Sequence, residues 1–480
     1  MALKIYNVLG REKQDFTPLY KGRVNIYVCG PTVQDYSHIG HAKTYVAFDV
    51  VTRYLRYSGY DVLYVQNITD VGHLLESGED RILKKASQLQ ARPMQIVEFY
   101  TRNYFEDMDA LGVIRPDISP RASAHIPEQI KMIETLLEKE NAYVSNGSVY
   151  FDVTSAPEYG KLSNRKIESQ EAGSREAVRD EKHNPEDFAL WKKAEPEHIL
   201  RWESPWGEGF PGWHIECSAM AKKYLGPTFD IHGGGVDNIF PHNESEIVQS
   251  ECANDADFAR YWMLVGSLTV DGIKMSKSLG NFVTIKDALK TYRPEVIRMF
   301  MLSAHYASPV DYSEDGLRGS VGGWERLYGA ARLVRQVMNN APDSDDSNSF
   351  LARLEQAKAD FSTVMDDDFN TPKAIAVLQD LTRDVNTLLN SGAVVGKPVL
   401  EAINTTYSTL GGDVLGIIPA AESASSDGQR EAGLIELLVN LRAAARKGKD
   451  FATSDRIRDE LLSLGVVLED RPDGTVWRVN

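Results

Sequence analysis

Val24-Asn25-Ile26-Tyr27-Val28, then Cys29-Gly30-Pro31-Thr32, then His38-Ile39-Gly40-His41 and the stretch on to Tyr57 together decide the architecture of this chain. The first run is rich in β-formers and ends in a Gly-Pro loop. From His41 to Tyr57 the pattern turns helical, with Val46, Val50, Tyr54 and Tyr57 on one face. Gly59 punctuates the run, and Asp61-Val62-Leu63-Tyr64-Val65 reads as the next strand. Strand, helix and strand in that order predict a right-handed parallel unit of a doubly wound α/β sheet.

The turn at residues 38 to 41 also carries chemistry. A turn that opens a helix aims unpaired backbone N–H groups and the positive dipole end at an anion. His38 and His41 stand three apart, so both rings face one side of the first turn and can donate to phosphate oxygens. Gly40 lets a nucleoside ring lie close to the backbone. Standing alone, the pair would serve equally well as two exposed helix-start histidines. Far along the chain, Lys274-Met275-Ser276-Lys277-Ser278 sits between Gly272 and Gly280, which suits a loop that closes over a triphosphate. Lys274 and Lys277 would hold charge growing on a leaving pyrophosphate, with the hydroxyls of Ser276 and Ser278 beside them. Alone, this segment also reads as a basic surface loop. In this order, behind an α/β start, the two motifs imply the halves of one ATP site.

The bulk numbers bound what else the chain can be. Its 480 residues are 42% hydrophobic and 25% charged, an ordinary globular balance with room for about three domains. The net charge of −16, from 53 basic and 69 acidic residues, argues against coating nucleic acid with the whole surface. A local basic path to one RNA stays open. Cys29, Cys217 and Cys252 are too few for a disulfide framework, so a reducing cytoplasmic setting is expected. Met1 to Tyr6 lacks the apolar run of a signal peptide, and no stretch of 18 apolar residues predicts a membrane span.

The organisation expected from these patterns is a catalytic α/β domain in two halves, 1–118 and 205–256, split by an inserted domain at 119–204. A linking region at 257–322 carries the lysine loop. A helical bundle at 323–412 follows, and a small α+β unit at 425–480 has Asp473-Gly474 as a hairpin turn. The insertion is marked by charged stretches such as Arg175 to Lys182. Phe229-Asp230-Ile231-His232 reads as a strand, and Gly233-Gly234-Gly235 as a loop beside a sheet end. The polar run Asp343 to Ser349 interrupts the helical region, and Ala420 to Gly428 reads as a linker.

Two further constellations bear on chemistry. His242 and Glu246 are spaced i, i+4 and share a helix face, while Cys29 ends the first strand and Cys217 follows Trp213-His214-Ile215-Glu216. Two cysteines, a histidine and a glutamate are suitable Zn²⁺ ligands, but their spacing matches no local zinc-finger pattern. Two buried cysteines and a helix-start histidine would explain them as well. Cys252 lies six residues past Glu246, about 240° around a helix, and reads as core filler. Near the C-terminus, Arg442, Arg446, Lys447 and Lys449 form a basic run suited to phosphates. Asp450, Asp455 and Asp470 offer acceptors to base edges, and Trp477 beside Arg478 offers a stacking plane. A solvated helix face with a structural tryptophan is the alternative.

The chain resembles the class I aminoacyl-tRNA synthetases, whose signatures are written HIGH and KMSKS. It is more closely similar, essentially end to end, to the cysteinyl-tRNA synthetase family. The residues that carry the resemblance are Tyr27 to Val33, Gly212-Trp213-His214-Ile215-Glu216-Cys217-Ser218-Ala219-Met220, Phe229 to Gly235, Met365-Asp366-Asp367-Asp368-Phe369-Asn370-Thr371-Pro372 and Lys449-Asp450-Phe451-Ala452. The resemblance implies a Rossmann-like catalytic domain that activates L-cysteine as cysteinyl-adenylate and passes it to the terminal adenosine of tRNA(Cys). It implies His38, His41, Lys274 and Lys277 as catalytic groups, with Gly40, His232, Gly233, Gly234, Asp237, Ser276 and Ser278 at ATP. Thr69 and Trp213 would line the cysteine pocket. One Zn²⁺ would sit on Cys29, Cys217, His242 and Glu246, and Mg²⁺ would come with ATP. A zinc that ligates thiolate separates cysteine from serine, so no separate editing domain is expected.

The same resemblance implies an anticodon-binding C-terminal unit, with Arg446, Asp450, Asp455 and Trp477 toward the tRNA; a monomer is expected, without a signal in the sequence that fixes it. Two departures stand out. Val71-Gly72-His73 follows Asn67-Ile68-Thr69-Asp70 where the family usually has an acidic pair, and Asn243 stands where many members have a second histidine. Two rivals share parts of the pattern. One is a ligase joining cysteine to an amino-sugar, which lacks the full anticodon-binding end. The other is a non-catalytic tRNA-binding or zinc-sensing relative, against which the intact motifs at 38–41 and 274–278 count.

Overall fold

The computed structural model describes residues 2–72, 81–165, 181–195, 198–275, 279–343, 349–392, 394–420, 426–471 and 474–479. Ser276, Lys277 and Ser278 lie outside the described residues. So do His73, Asp473 of the expected hairpin turn, most of the charged stretch at 175–182, the interior of the polar run at 343–349, and 421–425 of the expected linker.

The first unit forms as its pattern requires. Strand Arg23–Val28 leads into helix Ile39–Tyr57, which returns through strand Asp61–Gln66, and the two strands pair in parallel from Arg23–Asp61 to Val28–Gln66. The helix packs Ile39, Val46, Val50 and Leu55 against the sheet, each fully buried or nearly so. Burial of such a side chain stabilises by roughly 1.5–3 kcal/mol. Strands Phe229–Gly235 and Ala259–Val265 complete a four-stranded parallel sheet in the spatial order 259–265, 229–235, 23–28, 61–66. This is the doubly wound, Rossmann-like α/β sheet that the sequence pattern predicts.

Gly233, Gly234 and Gly235 belong to the third strand rather than to a loop. A Cβ on Gly233 would stand 2.1 Å from the Phe48 ring, so the glycine is what lets helix Ile39–Tyr57 lie flat on the sheet. The glycines that read as punctuation are therefore a close-packing device. The parallel sheet also runs past residue 256, because Ala259–Val265 is its outer strand. Likewise the insertion extends past 204: its four-stranded antiparallel sheet, Ala142–Ser145, Ser148–Phe151, Phe188–Lys193 and Gly209–Pro211, ends with a strand after that point.

Strand Leu268–Val270 pairs with Ile273–Lys274 and with Val310–Tyr312, so Lys274 projects from a short ribbon beyond the main sheet. Helices Glu314–Met338, Ser349–Met365, Thr371–Asn390 and Lys397–Thr406 form the bundle. The C-terminal unit is a helix pair, Ser426–Lys447 and Phe451–Ser463, with the hairpin strands Val466–Arg471 and Gly474–Val479. Among the described residues, no helix is long and apolar enough to cross a membrane.

A buried ion pair ties helix Ile39–Tyr57 to the C-terminal half of the chain. Arg298, on helix Pro294–Leu302, donates to Asp49 at 2.5 Å and to the Leu415 carbonyl at 2.8 Å. Asp49 also accepts from Arg53 and from the Ile114 amide. Both partners are shut off from water, at 1% and 0% exposure, so neither charge can be left alone cheaply. Arg298→Met should cost about 3–5 kcal/mol, read as a lower urea midpoint. An unchanged midpoint would show that Arg53 alone compensates Asp49.

Candidate active site

In an open parallel sheet, a crevice forms where two neighbouring strands send their connections to opposite sides. Here that point lies between Arg23–Val28 and Phe229–Gly235, whose carboxyl ends face the same way. A cleft of about 630 Å³ opens there. Cys29, Cys217 and His242 form its base, the turn at His38 to His41 one wall, and Gly266 to Thr269 with Lys274 and Met275 another.

The two histidines cap each other. The His41 amide donates to His38 Nδ1 and the His38 amide donates to His41 Nδ1, each at 3.3 Å, a reciprocal capping box built from imidazoles. The rings stack at 3.7 Å. Because each Nδ1 accepts, a neutral ring must carry its proton on Nε2. Burial, followed by the charge of His38, pushes the His41 ring well below its ordinary value. His41 therefore presents a neutral Nε2–H donor. The segment after the lysine motif is tied to the same turn: the Ile39 amide donates to Val283 and the Ile285 amide to Ser37. Lys274 Nζ lies 4.0 Å from Asp237 across the cleft mouth, both side chains exposed.

At the base, one donor atom from each of Cys29, Cys217, His242 and Glu246 lies within 4.8 Å of all the others, and all four residues are buried. Glu246 is the most heavily bonded. Asn243 Nδ2 donates to its Oε2 at 2.7 Å, His232 Nε2 lies 3.3 Å from its Oε1, and His242 Nε2 lies 3.7 Å from Oε2. Burial raises the Glu246 carboxyl, but the facing His232 and His242 overcome it and hold it at about 2. The reverse holds for His242: burial lowers the ring, and Glu246 with Cys29 raises it to about 9. The Cys29 thiol, hydrogen-bonded to Cys217, is drawn down to about 6, and Cys217 is raised as the donor of that pair. His242 Nδ1 meets His214 Nδ1 at 3.0 Å, which turns Nε2 toward the cluster. The cis Phe240–Pro241 bond lies just before His242.

The other expected site residues fall into separate places. Thr69 and Trp213 line the cleft: the Thr69 hydroxyl donates to Glu216 at 3.0 Å, and Trp213 stacks on His242 at 4.4 Å. Gly40 and Asp237 line it as well. His232, Gly233 and Gly234 are not among its lining residues; Gly235, Val236 and Asn238 are. His232 is fully enclosed, stacked on Trp262 at 4.2 Å and turned to Glu246, because alternation along the strand sends it to the face that carries the Cys/His/Glu cluster. Cys252 takes no part in the cluster and packs, half-buried, against the core of the insertion.

Asn67, His214 and Glu216 gain a role only in the folded chain. Asn67 Oδ1 accepts from the Gly30 amide at 2.7 Å and faces Cys217 Sγ at 3.7 Å, fixing the two cysteine-bearing segments against each other. Their one signal in the sequence is position: His214 and Glu216 flank Cys217 on one helix, and Asn67 precedes Thr69. Asn243, the departure from the family pattern beside His242, orients the Glu246 carboxylate.

In the C-terminal unit, Arg442 is buried and holds Asp470 with two bonds, and Arg446 Nη1 adds a third at 2.7 Å. Asp450 caps helix Phe451–Ser463 by accepting from the Thr453 amide and hydroxyl. Asp455 pairs with Arg458 at 3.2 Å. Trp477 packs on the small core of Ile435, Leu461 and Val466, and its carbonyl accepts from Arg332 of the bundle.

The comparisons with known proteins agree with this plan. Residues 15–321 match the family model for the tRNA synthetases class I (C) catalytic domain. Residues 360–419 match the DALR domain, and 435–478 the cysteinyl-tRNA ligase anticodon binding domain. The cysteine–tRNA ligase of Chlorobium luteolum is 51% identical over 489 residues, covering 99% of each chain. The chain belongs to the class I cysteine–tRNA ligase family. Other members include that of Deinococcus radiodurans, 50% identical over 99% of this chain and 96% of its own. That of Thermus thermophilus is 46% identical over the whole of both chains. Among solved structures, the LeuRS of Agrobacterium radiobacter K84, in a ternary complex with tRNA and LeuAMS, has a TM-score of 0.61 at 11% identity, covering 84% of this chain and 85% of its own. The Mycobacterium tuberculosis methionyl-tRNA synthetase with methionyl-adenylate has a TM-score of 0.59 at 14% identity, covering 81% and 88%. These two share the fold.

The capping geometry has a direct spectroscopic consequence. Free histidine is half protonated at about pH 6.5. Imidazole nitrogen shifts of His41 at that pH should report a neutral ring with its proton on Nε2. A doubly protonated ring would remove the mutual capping.

Proposed function

We propose that this chain activates L-cysteine with ATP, forming cysteinyl-adenylate and pyrophosphate, and then transfers the cysteinyl group to the 3′-terminal adenosine of tRNA(Cys). The observation that carries this reading is the buried Cys29, Cys217, His242 and Glu246 set at the base of a cleft walled by His38, His41 and Lys274. The chain is matched along its length by cysteine–tRNA ligases, and an anticodon-binding unit is among its matches.

The donor set fits zinc. Two thiolates, an imidazole and a carboxylate are the ligand types zinc takes at roughly 2.0–2.3 Å, and a tetrahedron of such bonds spans edges of about 3.3–3.8 Å. Spacing within 4.8 Å before any ligand is drawn in is close to that size. Bound there by Cys29, Cys217, His242 and Glu246, zinc would supply a soft Lewis acid that favours a substrate thiolate over a serine hydroxyl. Mg²⁺ enters with the nucleotide.

The chain's own residues handle the rest. Trp213 walls the amino-acid end of the cleft, and Thr69, held by Asn67 and Glu216, presents its methyl and hydroxyl in a set orientation. The nucleotide lies along Gly40 and the turn from Gly235 to Asn238. Nε2–H of His38 and His41 donate to phosphate oxygens as the cysteine carboxylate attacks the α-phosphate. Lys274, joined by Lys277 with Ser276 and Ser278, meets the charge that passes to the leaving pyrophosphate. Positioning and charge do the work, without a protein nucleophile. In the C-terminal unit, exposed Arg446, Lys447 and Lys449 offer phosphate contacts to the tRNA, with Asp450, Asp455 and Trp477 along the same unit.

Two measurements test this reading. Cysteine-dependent ATP–pyrophosphate exchange with charging of tRNA(Cys) is the expected result; transfer to an amino-sugar in place of tRNA would overturn the acceptor. Cys217→Ala should lose bound zinc by metal analysis. Its cysteine KM should rise by at least the roughly 10–100-fold that loss of an outer partner costs. Normal zinc content in that variant would sink the ligand assignment.

A further inference from the structure

Lys43 stands two residues past His41 on helix Ile39–Tyr57, about 200° around the axis, so it points away from the cleft wall that the histidines form. Its side chain is buried, with 3% exposed. The ammonium donates to three backbone carbonyls: Gly266 at 2.6 Å, Ser308 at 2.6 Å and Ser267 at 3.3 Å. That uses its full complement of three donors. Among the described residues it makes no ion pair with a carboxylate, and burial lowers it to about 8, so it still carries its proton at neutral pH.

The carbonyls converge because two chain segments are pressed together there. The Gly266 amide donates to Tyr306, the Val310 amide donates to Ser267, and Leu268 pairs with Val310. A Cβ on Gly266 would stand 2.5 Å from the Ala307 carbonyl, which leaves no room for a side chain between the segments. Crowded carbonyl oxygens repel one another unless donors satisfy them. The same residues face the active site on their other side: Gly266, Ser267, Leu268 and Thr269 line the cleft, and Leu268–Val270 continues through a turn into Ile273–Lys274.

We propose that Lys43 is a positioning residue for ATP activation. Its ammonium clamps the Gly266, Ser267 and Ser308 carbonyls to the helix that presents His38 and His41. The clamp sets the spacing between those histidines and the ribbon that delivers Lys274. The proposal rests on the adenylate-forming function given above. A lysine at this place is built in as deeply as a core residue, yet its partners are the hinge of a catalytic ribbon rather than a neighbouring charge.

The experiment compares wild-type enzyme with Lys43→Met and Lys43→Arg. Each is assayed by ATP–pyrophosphate exchange normalised to titrated active sites, with zinc content and thermal transition measured alongside. Methionine keeps the apolar stem and removes the donors; arginine restores donors to the same carbonyls. The expected result for Lys43→Met is a fall of about 100-fold in kcat, the scale of a 1 Å misplacement, with zinc content and cysteine KM unchanged. Lys43→Arg should recover most of that rate. If Lys43→Met does not fold, Lys43→Leu, which likewise has no donor, is read by the same criteria.

A wild-type kcat per active site in Lys43→Met would overturn the clamp, as would a rate loss that only tracks loss of folded protein. A folded Lys43→Arg with no recovery would do the same. Wild-type enzyme without cysteine-dependent exchange would instead overturn the functional reading and the clamp with it.

Discussion

The parallel backbone ladder that holds Arg23–Val28 between Asp61–Gln66 and Phe229–Gly235 is the constraint on which the site depends. Parallel strands end on the same edge, so the residues that follow them meet whether or not they are close in sequence. Cys29 follows the first strand, Asn67 the second, and the turn to Asn238 the third. The ladder also orients helix Ile39–Tyr57, whose first turn reaches the same edge with His38 and His41. Close contact between that helix and the sheet requires Gly233 under Phe48, so a packing detail at one strand controls where the paired-histidine turn sits.

A buried carboxylate at the base of the cleft imposes a second condition. Glu246 is fully enclosed, and an isolated ionised carboxylate in such a place would neutralise itself. His232, His242 and Asn243 keep it ionised. This accounts for the asparagine beside His242: its amide reaches the Glu246 oxygen at 2.7 Å and so orients a donor of the cluster. It also accounts for His232, whose ring faces this carboxylate and does not line the cleft.

Much of the fold was legible along the chain because its signals are local. A strand, a helix with one apolar face and a second strand announce a parallel unit within residues 24 to 65. The four buried donors were legible only through resemblance to a family, since Cys29 and Cys217 stand far apart and follow no local metal spacing. Where local reading failed, a tertiary contact had reversed the usual meaning of a residue. Glycines normally break strands, but at 233–235 they continue one to admit Phe48. Arg442 belongs to a basic run, yet its side chain is buried against Asp470 inside the unit. The pattern of Asp450 and Thr453 is a helix-cap signal as much as an acceptor for a base edge.

The amino-acid sequence by itself determined the α/β class, the helix start with its paired histidines, the lysine motif and the family. Each depends on residue order within a short window or on long matched strings. Only the tertiary structure decided that the histidine rings cap each other through Nδ1, that Cys29, Cys217, His242 and Glu246 share one buried volume, and that Lys43 serves three carbonyls. Those facts depend on distances between segments up to hundreds of residues apart. Such distances are set by sheet register and core packing, to which no single stretch of the chain has access.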